Sequence, residues 1–195
     1  MVEVVIGGTK SARAGYSFEQ VAIAPQRRTR DASEVSTAWS IDAYKFETPF
    51  IAAPMDSVVS PESAVSISRN GALAVLNLEG LWGRYEDPAI YLREIANVDA
   101  EQATALLQRL YAAKPVDVDL IKNRIAQLKE SGITVSVAVS PQRTTELAPI
   151  AAASGAEILV VRGTTVSAEH VSDSGEPLNL KSFIHDLDIP VIVGG

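Results

Sequence analysis

The segment Ala53-Pro-Met-Asp-Ser57 sets a thioether, a carboxylate and a hydroxyl side by side at the end of an uncharged run that begins at Thr48. A polarizable, unbranched thioether suits packing against a ring. A carboxylate accepts hydrogen bonds or a proton, and a hydroxyl does either job. Pro54 stops the apolar run, so Met55, Asp56 and Ser57 fall just past a short buried strand. Ser60-Pro61 then starts a helix, the serine as N-cap and the proline where its missing N–H costs nothing. Ala64, Ile67 and Ser68 give that helix a small-residue inner face, and Gly71 closes it. Strand, polar tip and capped helix make one βα unit, and in sheets and barrels of such units ligands sit at the carboxyl ends of the strands. A purely connecting role is the competing reading of any single tip.

The remaining candidates are fewer. Asn77 takes the tip after a second apolar run, Ala72 to Leu76, and Arg162-Gly-Thr-Thr165 takes the tip after Ala156 to Val161. Asp117 and Asp119 have the spacing of a carboxylate pair, but at a helix start they complement its dipole. His170 and His185 are too few and too far apart to suggest a metal centre. Gly7-Gly8 reads as a turn, and Arg27, Arg28 and Arg30 as a solvated loop.

Composition narrows the class. With 195 residues, 47% hydrophobic and 21% charged, the chain carries enough apolar material for a sizeable core and reads as one soluble domain. The net charge of −7 argues against a nucleic-acid footprint. The absence of cysteine excludes disulfides, thiolate metal sites and a nucleophilic thiol in these residues. No apolar run reaches membrane-spanning length and the first residues do not form a signal peptide, so the expected location is the cytoplasm, with no membrane partner.

The elements that must position the tips follow in order. Val2 to Ile6 reads as a strand, Ser17 to Pro25 as a surface strand and loop, and Val35 to Trp39 and Ala43 to Phe46 as short strands. Glu79 to Pro88 is a loop with Trp82 and Tyr85, and Ala89 to Ala96 a short helix. Asp99-Ala-Glu-Gln102 resembles a capping box for a helix whose Ala103, Leu106, Leu107, Leu110 and Tyr111 recur at helical spacing up to Ala113, and Leu120 to Leu128 mark the next helix, ended by Gly132. Gly132 to Val139 is a strand, Ser140-Pro141 is expected to cap a helix that Pro149 kinks or shortens, and Ala156 to Val161 is another strand. A loop holding Ser172 to Gly175, a helix from Leu178 to Leu187 and a strand from Pro190 to Val193 complete the chain. β-Branched strands separated by helices predict a parallel sheet covered on both faces. A closed parallel barrel needs eight strands and an open sheet needs covered faces, so five such strands after Pro49, ending at Gly194-Gly195 without a covering helix, predict the front part of a longer protein. The expected organisation is N-terminal strands and loops in 1–48 followed by five βα units in 49–195. Such a stretch is expected to be inactive alone and not stably monomeric, because two parallel edges stay open.

Four stretches together resemble the IMP dehydrogenase/GMP reductase family: Tyr16 to Pro25, Pro49 to Val58, Asn70 to Leu76 and Ala156 to Val161. Ala-Pro-Met-Asp is the most specific of them. In the family's dehydrogenases the interval corresponding to Leu81 to Ser131 carries two regulatory CBS modules; here it holds too few residues for a CBS domain, as in the related actinobacterial and cyanobacterial proteins that lack one. The resemblance implies a (β/α)8 TIM barrel, of which 1–195 is a partial catalytic domain with about five of the eight strands, and an oxidoreductase of purine nucleotide metabolism acting on IMP or GMP (or releasing XMP) with NAD or NADP(H). It also implies a tetrameric homo-oligomer, and in the half that follows a cysteine nucleophile, glycine-rich phosphate loops and a monovalent cation.

Residue by residue, it implies that Met55 packs against the purine and that Asp56 shapes the nucleotide site, with Asn77 on the same rim. Ala53 stands where the family usually has a serine contacting the nucleotide. Leu78 stands on or beside the place of a histidine near the cofactor. Arg162, followed by Gly163 and Thr164, stands where the family has an aspartate that binds the cofactor ribose. A donor-only guanidinium cannot replace an acceptor-only carboxylate, but it can meet a phosphate. The exchange predicts a reductase or an altered dehydrogenase, with NADPH favoured by the added positive charge. Two other readings stay open: another phosphate-binding barrel enzyme, and a non-catalytic homologue that binds nucleotide.

Overall fold

The computed structural model describes residues 3–6, 8, 10–25, 27–163, 168–172 and 175–194. They form two compact units, Met1–Ser36 and Thr37–Gly195. In the first, β1 (Glu3–Ile6) and β2 (Lys10–Arg13) pair antiparallel about Gly8, whose positive φ of 59° serves the turn. The surface strand expected within Ser17 to Pro25 does not form. A 3-10 turn, Phe18–Gln20, replaces it, with the Ser17 N–H donating to Gln20 Oε1 at 2.9 Å. That local bond wins because the segment finds no strand to pair with.

The second unit opens with a hairpin of β3 (Trp39–Ile41) and β4 (Tyr44–Phe46), turned through Asp42. These strands are shorter than the expected Val35 to Trp39 and Ala43 to Phe46. The parallel strands are β5 (Ile51–Ala52), β6 (Leu73–Asn77), β7 (Ser136–Val139), β8 (Ile158–Arg162) and β11 (Val191–Gly194), in the order β11-β8-β7-β6-β5. This is the expected α/β architecture, a curled five-stranded half-barrel.

Period-2 alternation sorts its side chains. Ala74, Leu76, Val137, Val139, Leu159 and Val161 face the helices. Leu73, Val75, Ala138, Ile158 and Val160 face the other way and pack with Phe46, Trp39 and Tyr44 of the hairpin. The helices are α1 (Pro61–Arg69), α2 (Ala89–Ala96), α3 (Ala100–Ala113), α4 (Val118–Glu130), α5 (Thr144–Ser154) and α6 (Leu180–Asp186). Ser60 caps α1 as expected, its side chain accepting from Ser63 N at 3.0 Å, and Gly71 follows with φ 77°.

Four local expectations change. Asp99 makes no side-chain cap bond for α3, and its side chain is exposed. Ser140-Pro141 forms a turn, and α5 starts at Thr144, whose hydroxyl donates to Ser140 O at 2.7 Å. Ser140 instead gives both its N–H and its hydroxyl proton to the Glu79 carboxylate. Pro149 does not shorten α5, which runs on to Ser154 with Leu147, Ala148 and Ala151 packed in the core. Ser172 and Gly175, expected in a loop, end β9 (Glu169–Ser172) and begin β10 (Gly175–Asn179), which pair antiparallel. Asn179 then caps α6 by accepting from Ser182 N at 3.1 Å, so the helix starts two residues later than expected.

Candidate functional site

The chain turns sharply after β5. Met55 N–H donates to Ala53 O at 2.7 Å, and Val58 and Val59 N–H both reach Met55 O at 2.9 Å. This folds Pro54 inward and leaves Met55 48% exposed at the carboxyl end of the sheet. Asp56 turns the other way, into the protein. Its Oδ2 accepts from Leu81 N–H at 2.9 Å and from the Tyr111 phenol at 2.7 Å, while its backbone oxygen accepts from Trp82 Nε1 at 3.1 Å. Oδ1 is buried without a hydrogen-bond partner and lies against Gly80, where any Cβ would overlap the carboxylate. Glycine at 80 is therefore required by close approach. Burial raises the Asp56 carboxyl above its ordinary range, against the opposing pull of Leu81 N–H, Tyr111 and Arg84. Burial and the facing Asp56 charge likewise push the Tyr111 phenol up.

The loop after β6 is tied down at both ends. Asn77 Oδ1 accepts from Glu79 N–H at 3.1 Å, and the Glu79 carboxylate grips Ser140 N–H and, at 3.0 Å, its hydroxyl. Arg84 Nε donates to Glu79 O at 2.8 Å, and its Nη1 bridges Tyr111 O and Lys114 O at 2.9 and 2.6 Å. Arg124 reaches Trp82 O, Tyr85 O and Glu86 O at 3.3, 3.3 and 2.6 Å. Both guanidiniums also cover rings, Arg84 over Tyr111 at 4.8 Å and Arg124 over Trp82 at 5.3 Å. Two planar forks thus satisfy the carbonyls of a segment that has almost no regular structure.

Arg162 crosses from the end of β8 to β5 and donates from Nη1 to Pro54 O at 3.1 Å. Two cavities adjoin there and share Pro54, Asn77 and Arg162. One, of about 200 Å³, is polar, with Glu79 and Ser140 in its wall. The other, of about 220 Å³, lies between Met55 and the helices α2 and α3, which contribute Leu92, Ile95, Leu107 and Tyr111. A larger cavity of about 540 Å³ opens near the other ends of the strands, between Lys45, Glu47, Arg69 and Gly132. Volume there does not outweigh chemistry: the polar tips and the buried carboxylate converge at the carboxyl end, where ligands of such sheets bind.

The structure brings Met55, Asp56, Asn77 and Arg162 together around one cavity. Ala53 is exposed on the same turn. Gly163 lies beside them, but its N–H already donates to Gly194 O at 3.3 Å, and Thr164 falls outside the described residues. Leu78 is 1% exposed and packed in the core, so it presents no side chain to a ligand. Sequence reasoning missed Glu79 and Ser140, and it read Leu107 and Tyr111 only as a helix face. Their four-residue spacing was the available signal.

Residues 15–178 match the model of the IMP dehydrogenase / GMP reductase domain. The chain belongs to this family. A Mycobacterium tuberculosis protein named only as an uncharacterized oxidoreductase is 50% identical over 200 residues, and one from Mycolicibacterium smegmatis with a similar name is 48% identical. Each alignment covers 100% of this chain and 52% of the relative, so the chain spans about half the length of these relatives. The crystal structure of an IMP dehydrogenase/GMP reductase-like protein from Corynebacterium glutamicum superposes with a TM-score of 0.84 at 44% identity, over 99% of this chain and 52% of that one. The chain is thus part of an oxidoreductase-like family, and its half-barrel corresponds to about half of the crystallised relative. Among the described residues no helix is long and apolar enough to cross a membrane.

A nicotinamide cofactor finds a mixed fit in these residues. Arg162 offers donors to a phosphate or a carbonyl, whereas the tip of β8 offers no carboxylate side chain to ribose hydroxyls.

Proposed function

We propose that the complete protein is an oxidoreductase of purine nucleotide metabolism that works on IMP or GMP with NAD or NADP(H). The observation that carries the proposal is the meeting of Met55, Asn77 and Arg162 around a cavity at the carboxyl end of a family half-barrel. In this reading Met55 lies against the purine, Ala53 leaves part of the phosphate hold to other groups, and Asp56 holds the wall rather than the ligand. Its Oδ2 is occupied by Leu81 and Tyr111 and its Oδ1 is shut against Gly80. A bound nicotinamide cofactor supplies or accepts a hydride. Arg162, with Gly163 and Thr164 beside it, sets the electrostatics of the cofactor's approach, and its fixed positive charge favours the extra phosphate of NADPH and so reduction of GMP to IMP.

The nucleophile, the phosphate loops and any monovalent-cation site belong to residues beyond these 195. The half-barrel alone is therefore inactive in this proposal, and the working form is a cytoplasmic homo-oligomer, a tetramer by family likeness. The test compares initial rates of the complete protein for GMP with NADPH and for IMP with NAD, alongside Arg162→Asp. Faster GMP reduction, with preference moving toward NAD in the variant, is expected. Faster IMP oxidation overturns the reductive direction, and no turnover with either pair overturns the enzymatic reading.

A further inference from the structure

The cavity of about 540 Å³ opens at the starts of β6 and β7, between β4, the end of α1 and the turn after α4. β6 and β7 are inner strands, so this space does not belong to the open edges at β5 and β11. Its volume falls within the roughly 300–1,000 Å³ of small-molecule sites. Alternation along β4 buries Phe46 against Trp39 and leaves Lys45 and Glu47 exposed at the cavity, while Arg69 reaches it from the last turn of α1.

Among the described residues, neither Lys45 nor Arg69 forms an ion pair, and the Glu47 carboxylate accepts no hydrogen bond. The helix ends beside them do not consume these charges, because their carbonyls are taken locally. Asn70 Nδ2 donates to Ser66 O at 2.8 Å and Gly71 N–H to Ser68 O at 2.9 Å; Ser131 Oγ donates to Gln127 O and Gly132 N–H to Lys129 O, both at 3.0 Å. Two cations against one carboxylate leave the cavity with a surplus positive charge in a chain of net charge −7. The Ser68 and Thr134 side chains add hydroxyls to the wall. Phe46, the one aromatic side chain there, is already stacked on Trp39, so a nucleotide base finds no free ring face.

The geometry points to a second ligand site at the amino-terminal end of the sheet, for a small phosphate monoester that carries hydroxyl groups and no base. Lys45 and Arg69 hold the phosphate, Arg69 through its planar fork, and Glu47 accepts from the hydroxyls. The assignment is independent of the oxidoreductase reading, since none of these residues borders either cavity at the carboxyl end.

The experiment titrates the complete protein calorimetrically, at low ionic strength, with glucose 6-phosphate, glucose and inorganic phosphate, and follows hydrogen–deuterium exchange with each. Glucose 6-phosphate should bind and slow exchange in 44–47, 68–72 and 131–134, whereas glucose should not bind. Lys45→Glu and Arg69→Glu should each bind the ester roughly tenfold more weakly or worse. Both side chains are exposed, so unchanged melting curves are expected, and two variants on different elements keep the test alive if one fails to fold. Glu47→Ala should weaken the ester but not inorganic phosphate, because it removes an acceptor together with a negative charge. Absence of binding, protection at the strand tips instead, or equal affinity in the charge-reversed variants overturns the site. Inorganic phosphate binding as tightly as the ester, with no effect of Glu47→Ala on either, overturns the ester assignment in favour of free phosphate.

Discussion

At the amino-terminal end of the sheet, Trp39 and Phe46 stack with centroids 4.7 Å apart, and the Trp39 indole N–H donates to Thr48 O at 2.9 Å. At the carboxyl end, Asp56, Glu79, Arg84 and Arg124 tie a nearly structureless loop through charged groups bonded to backbone. The hairpin end is closed by apolar area, which is insensitive to direction, and its charged groups, Lys45, Glu47 and Arg69, border a cavity outside that packed face. The tip end is held by directed bonds, each fixing an atom, and so keeps a cavity open beside Met55 and Asn77. Packing serves closure and hydrogen-bond networks serve positioning, so damage at the two ends should be felt in different observables.

The largest stability effect is expected at the closed end. Phe46 is 7% exposed and packs with Leu73, Val75 and Ile158. Phe46→Ala should cost about 3–5 kcal/mol in a denaturant titration of the complete protein, while the KM values of the folded variant stay near those of the unmodified protein. A KM change as large as the stability loss would erase the distinction between the ends.

Asp56→Ala should give the opposite signature. It leaves Leu81 N–H and the Tyr111 phenol without their partner and costs about 1–3 kcal/mol. Its effect on kcat/KM should exceed that of Phe46→Ala, because the loop and α3 lose their common anchor. Steady-state kinetics of both variants at one temperature decides this.

The smallest expected effect is a pH slope. Folding raises the Asp56 carboxyl, mainly by burial. Between the ordinary carboxylate range and that raised value, the folded protein holds a proton that the unfolded chain has released. Stability then falls as pH rises through this window and is flat in this group's contribution above and below it. Asp56→Asn keeps an acceptor and removes the titration, so its melting temperature should lack that part of the slope. Parallel profiles for the two proteins would show that Asp56 does not titrate there.

These differences also explain what was legible beforehand. The five parallel strands followed from short uncharged or β-branched runs and most helix bounds from 3.6-residue patterning, and α1 from Ser60, Pro61 and Gly71, because burial writes itself into residue type. The tip residues Met55, Asp56, Asn77 and Arg162 were legible as strand-end punctuation. The anchors were not, since Glu79 reaches Ser140 across 61 positions and Tyr111 reaches Asp56 across 55, and no local pattern records such pairings. The capping role expected of Ser140 failed for a related reason: its N–H and hydroxyl are held by a distant carboxylate, and a turn over 141–143 precedes α5. The β9–β10 hairpin escaped because its strands carry Glu169, His170, Ser172 and Glu176 in place of a hydrophobic alternation.

Hydrogen–deuterium exchange of the complete protein, with and without IMP or GMP and the matching cofactor, bears most directly on the claim that the carboxyl end carries the site. Ligand should slow exchange in 53–57, 77–85 and 92–111 and leave the hairpin at 39–48 unchanged. Protection confined to the hairpin, or to neither end of the sheet, would contradict the account.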